Sequence, residues 1–288
     1  MQIHHLNTGT MCPVGARLVT GRGGLFGRAR LVCHTLLLES RDGLVLVDTG
    51  LGTGDVDDPD RLGRRWVRQT SPRLDRAETA VAQIEARGFH RDDVRHVVLT
   101  HLDLDHAGGL PDFPRATVHV DAREHAAAVA QTLPTRKGRY IGAHWAHGPR
   151  WALHDGGGER WFGFDGVRPL AAREPDLLLI PLYGHTPGHC GVAVRGARGW
   201  VLHAGDAFFF HGQIATPPVP APLGLRYFQR RADTDRAQRV ANQERLRALA
   251  AAHGDEVTIV NGHDPVSFDG ARGACTLDAT LTAPRAAC

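Results

Sequence analysis

The stretch THLDLDHAGG, Thr100–Gly109, places two histidines and two aspartates within six residues and ends on two glycines. The apolar run before it predicts a β-strand, and side chains alternate along an extended chain with a period of two. If the chain stays extended, His101 and Asp103 project to the same side, and Asp105 and His106 follow as the chain turns. Two adjacent pairs of metal-binding side chains favour a site for two metal ions.

Three later segments repeat this pattern of an apolar run followed by metal-binding side chains. Predicted strands precede GHTPGH with His185 and His189, HAGD with His203 and Asp206, and NGHD with His263. Strand ends at one edge of a sheet commonly form the sites of α/β proteins. One such histidine alone is more simply interpreted as a surface residue, but four segments together favour a shared metal site. A structural zinc site is disfavoured, because such sites are usually closed and rich in cysteine.

Short apolar runs recur along the whole chain and predict strands, with helices between some of them. The predicted strands are Leu36–Leu38, Leu44–Val47, Val97–Leu99, Thr117–Val120, Leu177–Leu182, Val192–Val194, Trp200–Leu202 and Val257–Val260. The predicted helices are Asp75–Arg87, Asp121–Gln131 and Asp233–His253. This mixture predicts a layered α/β protein, and the lack of a repeat or linker predicts a single domain over residues 1–288.

Composition excludes several classes of protein. The 288 residues are 42% hydrophobic, which suffices for a sizeable core. No stretch approaches the ~20 apolar residues of a membrane span, and the first residues lack a signal-peptide pattern, so we expect a cytoplasmic protein without a membrane partner. A net charge of +3 with scattered arginines argues against a nucleic-acid partner. Five scattered cysteines without a CxxC motif predict neither a disulfide framework nor a zinc ribbon.

The motifs also resemble those of a known family. HLDLDH is similar to the HxHxDH signature of the metallo-β-lactamase superfamily, GHTPGH, AGDA and NGHD resemble its later motifs, and LVDTG at 46–50 resembles an early one. The resemblance implies an αββα sandwich with a dinuclear metal site at the sheet edges. The implied ligands are His101, Asp103 and His185 for the first metal, Asp105, His106 and His263 for the second, and Asp206 as the bridge. Asp48, His189 and His203 would support these ligands from behind.

Asp103 departs from the signature, because a carboxylate replaces its second histidine. Carboxylate oxygen is a harder donor than imidazole and improves a site for iron or manganese, while zinc also accepts aspartate. We therefore expect two divalent metal ions as cofactors, zinc first, with iron or manganese as alternatives. A histidine at position 103 would be expected to bind metal as well and to shift the preference towards zinc.

The expected chemistry is hydrolysis of a small molecule. Within the superfamily the chain most resembles the N-acyl homoserine lactonase-type branch, through IHHLNTGTMC, CHTLLLESRDGLVLVDTG and GHTPGHCG. Two metals would activate water, polarise a carbonyl and stabilise an oxyanion, with Asp105 and Asp206 as the catalytic carboxylates. The predicted reaction is opening of a lactone or cleavage of a carboxylic ester. A phosphoester hydrolase, a dimetal iron oxidoreductase and a non-catalytic binding protein are the alternatives, and the chain could form oligomers.

Two regions are candidates for contacting the substrate. The lactonases carry a tyrosine three residues after the bridging aspartate, where this chain has Phe209, so Tyr183 or Tyr227 could replace it.

The second region is an aromatic-rich insertion at about 135–170. It is either a surface insertion or a wall over the pocket, since concave sites favour aromatic linings. As a wall it would bring Tyr140, Trp145 and Trp151 to the substrate.

Overall fold

Two mixed β-sheets form the centre of the protein. In the computed structural model, which describes residues 1–130, 139–171, 174–275 and 288, each sheet contains six strands. The first sheet runs in chain order through β1 (Gln2–Met11), β2 (Leu31–Ser40), β3 (Gly43–Val47), β4 (Val94–Val98), β5 (Thr117–Asp121) and β6 (Arg150–His154). The second, in the order β12-β11-β10-β9-β8-β7, consists of β7 (Glu159–Trp161), β8 (Phe164–Ala171), β9 (Glu174–Pro181), β10 (Cys190–Gly196), β11 (Gly199–His203) and β12 (Val257–Val260).

Strand direction differs between the two sheets. In the first sheet β1, β2 and β3 pair antiparallel, and β3 to β6 pair in parallel. In the second sheet β11 and β12 are parallel, and the pairs from β11 to β7 are antiparallel. The parallel strands β3, β4 and β5 end at the same edge, so the loops that follow them meet there.

Helices connect the strands. Within the described ranges the α-helices are α1 (Ala16–Val19), α2 (Thr53–Asp57), α3 (Arg64–Thr70), α4 (Ala80–Glu85), α5 (Leu104–Ala107), α6 (Ala122–Ala130), α7 (Leu223–Ala232), α8 (Arg236–His253) and α9 (Pro265–Cys275). Single turns of 3-10 helix lie at Pro59–Leu62, Arg76–Glu78, Arg91–Asp93, Leu110–Asp112, Gly142–His144 and His211–Ile214. No helix in these described parts of the chain has the length and apolarity to cross a membrane.

The apolar core lies in three layers. Between the sheets, Leu36 and Val98 of the first pack with Leu179 and Val192 of the second. The opposite face of the first sheet packs on α4 and α6, and that of the second packs on α8. Since strand side chains alternate between faces, both faces of each central strand are apolar. The layers follow in the order helix, sheet, sheet, helix, which confirms the predicted α/β fold of the αββα type.

All eight predicted strands are present, and the helices Ala122–Ala130 and Arg236–His253 match their predictions closely. The predicted helix at 75–87 is shorter, because Thr79 accepts a hydrogen bond from the Ala82 amide and starts α4 after a separate 3-10 turn. Four strands were not predicted. The strand β1 has buried polar residues in HHLNTGT and no apolar run, and β6, β7 and β8 lie in the segment interpreted as an insertion.

The described part of the aromatic segment belongs to the sandwich. Residues 135–138 lie outside the described residues, while β6 extends the first sheet and β7 and β8 extend the second. Val118 of β5 pairs with Trp151 of β6, and both face the core on the helix side of the first sheet. The aromatic residues were therefore a signal of edge strands in this segment.

One pair of cysteines departs from the composition-based expectation. Cys12, after β1, forms a disulfide with Cys288, 276 residues away in sequence. The sequence did not indicate this pair, because cysteine spacing carries no information on such a distant contact. Disulfides persist in oxidising compartments, so in a reducing cytoplasm these two thiols would be free.

Three histidines form a row across β4, β5 and β6. The Nδ1 of His96 lies 3.0 Å from the Nε2 of His119, and the Nδ1 of His119 lies 3.0 Å from the Nε2 of His154. Burial, with the neighbouring His96 and His154, lowers the pKa of His119 to about 4. His119 is therefore neutral in the folded protein at pH values where an unfolded chain would already bind a proton.

This row predicts a pH-dependent stability. Between about pH 6.5 and 4 the unfolded state binds a proton at His119 that the folded state does not, so stability falls as the pH falls, by up to ~1.4 kcal/mol per pH unit. We expect His119→Gln to lose stability less steeply than the parent when urea unfolding is measured from pH 7 to 4.5. His90→Gln, at an exposed position, should follow the parent curve. Parallel curves for His119→Gln and the parent would contradict the assignment.

Candidate metal centre

Four loops bring the predicted ligands together at one edge of the sandwich. They follow β4, β9, β11 and β12, each of which ends just before a motif identified in the sequence. The potential ligand atoms lie within 4.8 Å of one another in each of three overlapping groups, of which the third is Cys33, Asp105 and His263. The first group is His101, Asp103, His185 and Asp206, and the second contains His106, Asp206 and His263.

In the first group, one oxygen of each carboxylate faces the imidazole nitrogens. The Oδ2 of Asp103 lies 3.4 Å from the Nε2 of His101 and 3.1 Å from the Nε2 of His185. The Oδ2 of Asp206 lies 3.3 Å from the same atom of His185. Two imidazole nitrogens and two carboxylate oxygens thus point into one small space, a donor set that suits zinc or a harder divalent ion.

The second group uses the other oxygen of Asp206. Its Oδ1 lies 3.4 Å from the Nε2 of His106 and 3.2 Å from the Nε2 of His263. The Oδ2 of Asp105 lies 3.6 Å from the Nε2 of His263. Asp206 therefore presents one oxygen to each group, which is the arrangement of a bridging ligand.

The hydrogen bonds behind these histidines fix which nitrogen faces inward. The Nδ1 of His106 donates to Asp48, and the Nδ1 of His263 donates to the carbonyl of Val32, both at 2.8 Å. Carboxylate and carbonyl oxygens only accept, so each Nδ1 carries the proton. The two inward Nε2 atoms are 3.3 Å apart and can share at most one proton. A cation between them would satisfy both.

His101 has the same orientation. Its Nδ1 lies 2.9 Å from the Thr100 hydroxyl, which itself donates to Asp48 and so accepts from the imidazole. The buried Nε2 of His101 makes no hydrogen bond within the described residues. A buried polar atom without a partner costs free energy unless a ligand satisfies it. The residues present therefore fit a metal ion, with Nε2 as the ligand atom of each histidine.

Electrostatics keeps the carboxylates charged. Burial would raise the pKa of Asp206, but His263 and His106 hold it well below its usual range. Burial likewise opposes ionisation of Asp103, but Arg139 and His101 hold its pKa well below the ordinary value. Both aspartates are anions near neutral pH and could bind metal without losing a proton.

Asp48 orders the loop after β4. It is the residue after β3 and has a left-handed backbone with φ of 60°, a conformation that aspartate adopts more readily than most residues. In this position its carboxylate accepts hydrogen bonds from the Thr100 amide, the Thr100 hydroxyl and the His106 imidazole. Asp48 therefore orients His106 directly and His101 through Thr100, and it is not itself one of the metal-binding residues.

His189 and His203 lie behind the site. His189 donates from Nδ1 to the Leu182 carbonyl and accepts at Nε2 from the Asp206 amide, 2.9 Å away. Both nitrogens of His189 are thus engaged, and it orients Asp206 through the backbone. The Nε2 of His203 donates to the His34 carbonyl and does not face the metal-binding groups.

Two glycines permit the close approach of these loops. Gly205 has φ of +51°, and a Cβ there would lie 2.6 Å from the Nε2 of His189. A Cβ at Gly262 would lie 2.8 Å from the Oδ1 of Asp206. The glycines of HAGD and NGHD are required because a side chain would push into His189 at the first position and into Asp206 at the second.

The sequence did not indicate the roles of Glu124 and Arg139. Glu124 is fully buried on α6 and accepts hydrogen bonds from the Leu102 amide, the Gly188 amide and the Tyr140 hydroxyl. It thereby ties the loop after β4 to the loop after β9. The sequence pattern around Glu124 indicates only the first turn of a helix. Arg139 lies beside Asp103, with 3.1 Å between Nε and Oδ1.

Phe209 is the predicted substrate residue that the structure places beside the ligands. Its ring stacks on His263 at 5.4 Å between centroids, and it lies 5.8 Å from the ring of His185. Phe209 also lines a cavity of about 430 Å³ together with Val19, Leu225 and Val266. This cavity lies between α1, α7 and α9, and no residue of the aromatic segment is among those that line it.

The other aromatic candidates lie elsewhere. Tyr140 faces Glu124 behind the ligand loops, whereas Trp145 and Trp151 pack on the helix-side core of the first sheet. Strand pairing turns Trp151 towards α6, and the prediction that these two tryptophans cover the metal edge stays a prediction. Tyr227 is 67% exposed on α7 and is not among the residues lining the cavity.

Tyr183 does not replace the missing tyrosine either. Its hydroxyl donates to Asp121, 3.0 Å away, and its ring lies under the Arg123 guanidinium. Among the described residues lining the cavity none is a tyrosine. The position of Phe209 thus remains apolar in the folded protein.

Comparison with known proteins agrees with this geometry. Residues 28–263 match the Metallo-beta-lactamase superfamily. A probable metallo-hydrolase of Mycobacterium tuberculosis is 42% identical over 274 residues, which cover 94% of this chain and 83% of that protein. An N-acyl homoserine lactonase of Agrobacterium fabrum is 31% identical over 196 residues, covering 67% of each chain.

Solved structures share the fold. A mutant of the Bacillus thuringiensis protein AiiA with N-decanoyl-L-homoserine bound at its active site superposes with a TM-score of 0.70 at 21% sequence identity, and the match covers 93% of this chain and 95% of that one. Together with the family match, these findings identify the chain as a hydrolase that belongs to the metallo-β-lactamase superfamily.

Proposed function

We propose that this protein is a dinuclear metal-dependent hydrolase that opens lactones, with an N-acyl homoserine lactone as the model substrate. The observation that carries the proposal is the position of Asp206, which turns one oxygen to each ligand group beside an apolar cavity. His101, Asp103 and His185 would hold one ion, and Asp105, His106 and His263 the other. Zinc is the first expectation for both ions, with iron or manganese as alternatives because of Asp103.

Bound divalent ions would supply an activated water and polarise the lactone carbonyl. The residues of the chain hold the reacting groups in place. Asp48, through Thr100 and His106, keeps two imidazoles in one orientation, so little reorganisation is needed during the reaction. The side chain of Asp105 is 14% exposed, against 5% for Asp206, so it is the more accessible carboxylate. We assign Asp105 to accept the proton that the attacking water releases and to deliver it to the lactone oxygen as the acyl–oxygen bond breaks.

The cavity supports an apolar substituent on the substrate. Phe209 separates it from His263 and His185, and Val19, Leu31 and Leu225 provide further apolar lining. Its volume of about 430 Å³ falls in the range typical of small-molecule sites. An acyl chain could therefore extend under Phe209 while the lactone ring of the substrate lies over the metal-binding residues. The N-acyl homoserine lactonase of Agrobacterium fabrum, a relative at 31% identity, supports the same substrate class.

A phosphoester substrate is less well supported. Such substrates need cationic side chains free to bind the phosphoryl oxygens. Arg139, the arginine beside the ligands, is engaged by Asp103, His185 and Ala232. Of the two arginines in the cavity wall, Arg30 is paired with Asp269 at 3.0 Å, whereas Arg22 is exposed. From the sequence we also propose that the protein is cytoplasmic.

The first prediction concerns metal content. Protein reconstituted with zinc should contain two ions per chain by elemental analysis, and Asp206→Ala should lose both ions together because the bridge serves both groups. Asp112→Asn changes a buried aspartate that binds Thr53 outside the site, so it should keep both ions. One ion per chain in the parent, or loss of one ion in Asp206→Ala, would contradict the bridging role.

The second prediction concerns substrate preference. Val266 lines the cavity and is 46% exposed, so Val266→Trp can fill the cavity without disturbing the core. We expect it to raise KM for long-chain N-acyl homoserine lactones by roughly tenfold and to spare short-chain ones, because the substituent is bound rather than transformed. Trp151→Ala should keep the chain-length profile of the parent.

The opposite pattern in these two variants would place the acyl site at the aromatic segment. If the zinc-loaded parent opens no lactone of any length but cleaves a phosphodiester, the lactonase proposal is wrong.

A further inference from the structure

We propose that Arg139 is a positioning residue that adapts the metal centre to Asp103, by orienting this carboxylate and by balancing the charge it adds. The inference rests on the proposed metal-binding function of the site. It concerns a residue for which the sequence motifs provide no counterpart, since Arg139 lies outside all of them.

The guanidinium of Arg139 is fixed on several sides. Its Nε lies 3.1 Å from the Oδ1 of Asp103, Nη1 donates to the His185 carbonyl at 3.0 Å, and Nη2 donates to the Ala232 carbonyl at 2.6 Å. Nη2 also lies 3.5 Å from the Nε2 of His185. The side chain is 7% exposed. A planar guanidinium held by three groups has little freedom to turn, so the position of its charge is well defined.

In this arrangement the two carboxylate oxygens of Asp103 face different partners. Oδ2 faces the imidazoles of His101 and His185, while Oδ1 faces Arg139. An aspartate has a second carboxylate oxygen that an imidazole ligand lacks, and this oxygen forms an ion pair with Arg139. The carboxylate is therefore directed to offer one oxygen to the metal-binding group, as a histidine would offer one nitrogen.

Arg139 also balances the negative charge that Asp103 brings to the site. Replacing a neutral imidazole by an aspartate adds one negative charge to a buried site, where uncompensated charge is expensive. Arg139 adds one positive charge in direct contact with it. The Asp103–Arg139 pair is neutral as a unit, so the first ligand group has the net charge that three imidazoles and Asp206 would have.

A consequence follows for the histidine that the family signature has at this position. Asp103→His alone would leave the Arg139 guanidinium buried without its carboxylate and facing His101, His185 and a metal cation. Breaking a buried ion pair by removing one partner is strongly destabilising. The structure therefore changes the expectation from the sequence, and histidine should be accepted at 103 only when the charge at 139 is also removed.

A double-mutant cycle tests this coupling. Zinc affinity is measured by competition with a chromogenic chelator, and zinc content by elemental analysis, for the parent, Asp103→His, Arg139→Gln and the double variant. We expect Asp103→His to weaken zinc binding by on the order of tenfold or more when Arg139 is present, but by less than about threefold when residue 139 is glutamine. The rescue of zinc binding by a second substitution is the signature of the pair.

Two controls separate charge balance from a general loss of structure. Arg139→Lys keeps the charge, so combining it with Asp103→His should not restore zinc binding. Arg168→Gln removes another buried arginine–aspartate pair, in which Arg168 lies 2.8 Å from Asp121, and it should leave zinc affinity unchanged. An equal effect of Asp103→His in both backgrounds, or equal rescue by lysine and glutamine, would overturn the proposal. The affinities require no substrate, so a failure of lactone turnover is distinguishable from a failure of this inference.

Discussion

The structure depends on a cluster of buried imidazole nitrogens and carboxylate oxygens that face one another at short distances. The inward nitrogens of His106 and His263 are 3.3 Å apart and both face one oxygen of Asp206. The other oxygen of Asp206 faces His185, and the Nε2 of His101 makes no hydrogen bond among the described residues. Lone pairs and negative charge at such distances repel unless cations lie between them. The fold holds them together by means of contacts made elsewhere.

Those contacts come from the ends of strands. The layers of the sandwich place four loops at one edge, and Asp48, Glu124 and His189 link these loops through backbone amides. Each of these links is buried, so its strength depends little on salt. The ligands are thereby ordered by the fold as well as by a metal, which is the preorganisation that catalysis at a metal site requires.

Much of this arrangement could be predicted from the sequence, for identifiable reasons. Buried strands have continuous apolar runs, and the short motifs that follow β4, β9, β11 and β12 carry the metal-binding side chains at their ends. The resemblance of HLDLDH and the later motifs to one superfamily ordered those residues into two groups. The edge strands β1, β6 and β7, and β8 next to β7, escaped prediction because polar and aromatic residues replace the apolar runs there.

Contacts between distant parts of the chain were not predictable. Arg139 meets Asp103 and Cys12 meets Cys288 only after folding, and neither residue has a spacing that indicates its partner. Trp145 and Trp151 resembled a pocket lining because periodicity cannot tell which core an aromatic side chain enters. The cavity under Phe209 was equally hidden, since its lining comes from three separate helices, the start of β2 and the turn that contains Phe209.

The position of Asp206 between the two ligand groups implies that it joins two metal ions. Anomalous diffraction from crystals of the zinc-loaded protein, recorded on both sides of the zinc absorption edge, tests it most directly. A bridging Asp206 predicts two anomalous peaks, one among His101, Asp103 and His185 and one among Asp105, His106 and His263, with an oxygen of Asp206 bound to each. A single peak, or two peaks of which Asp206 binds only one, would contradict it.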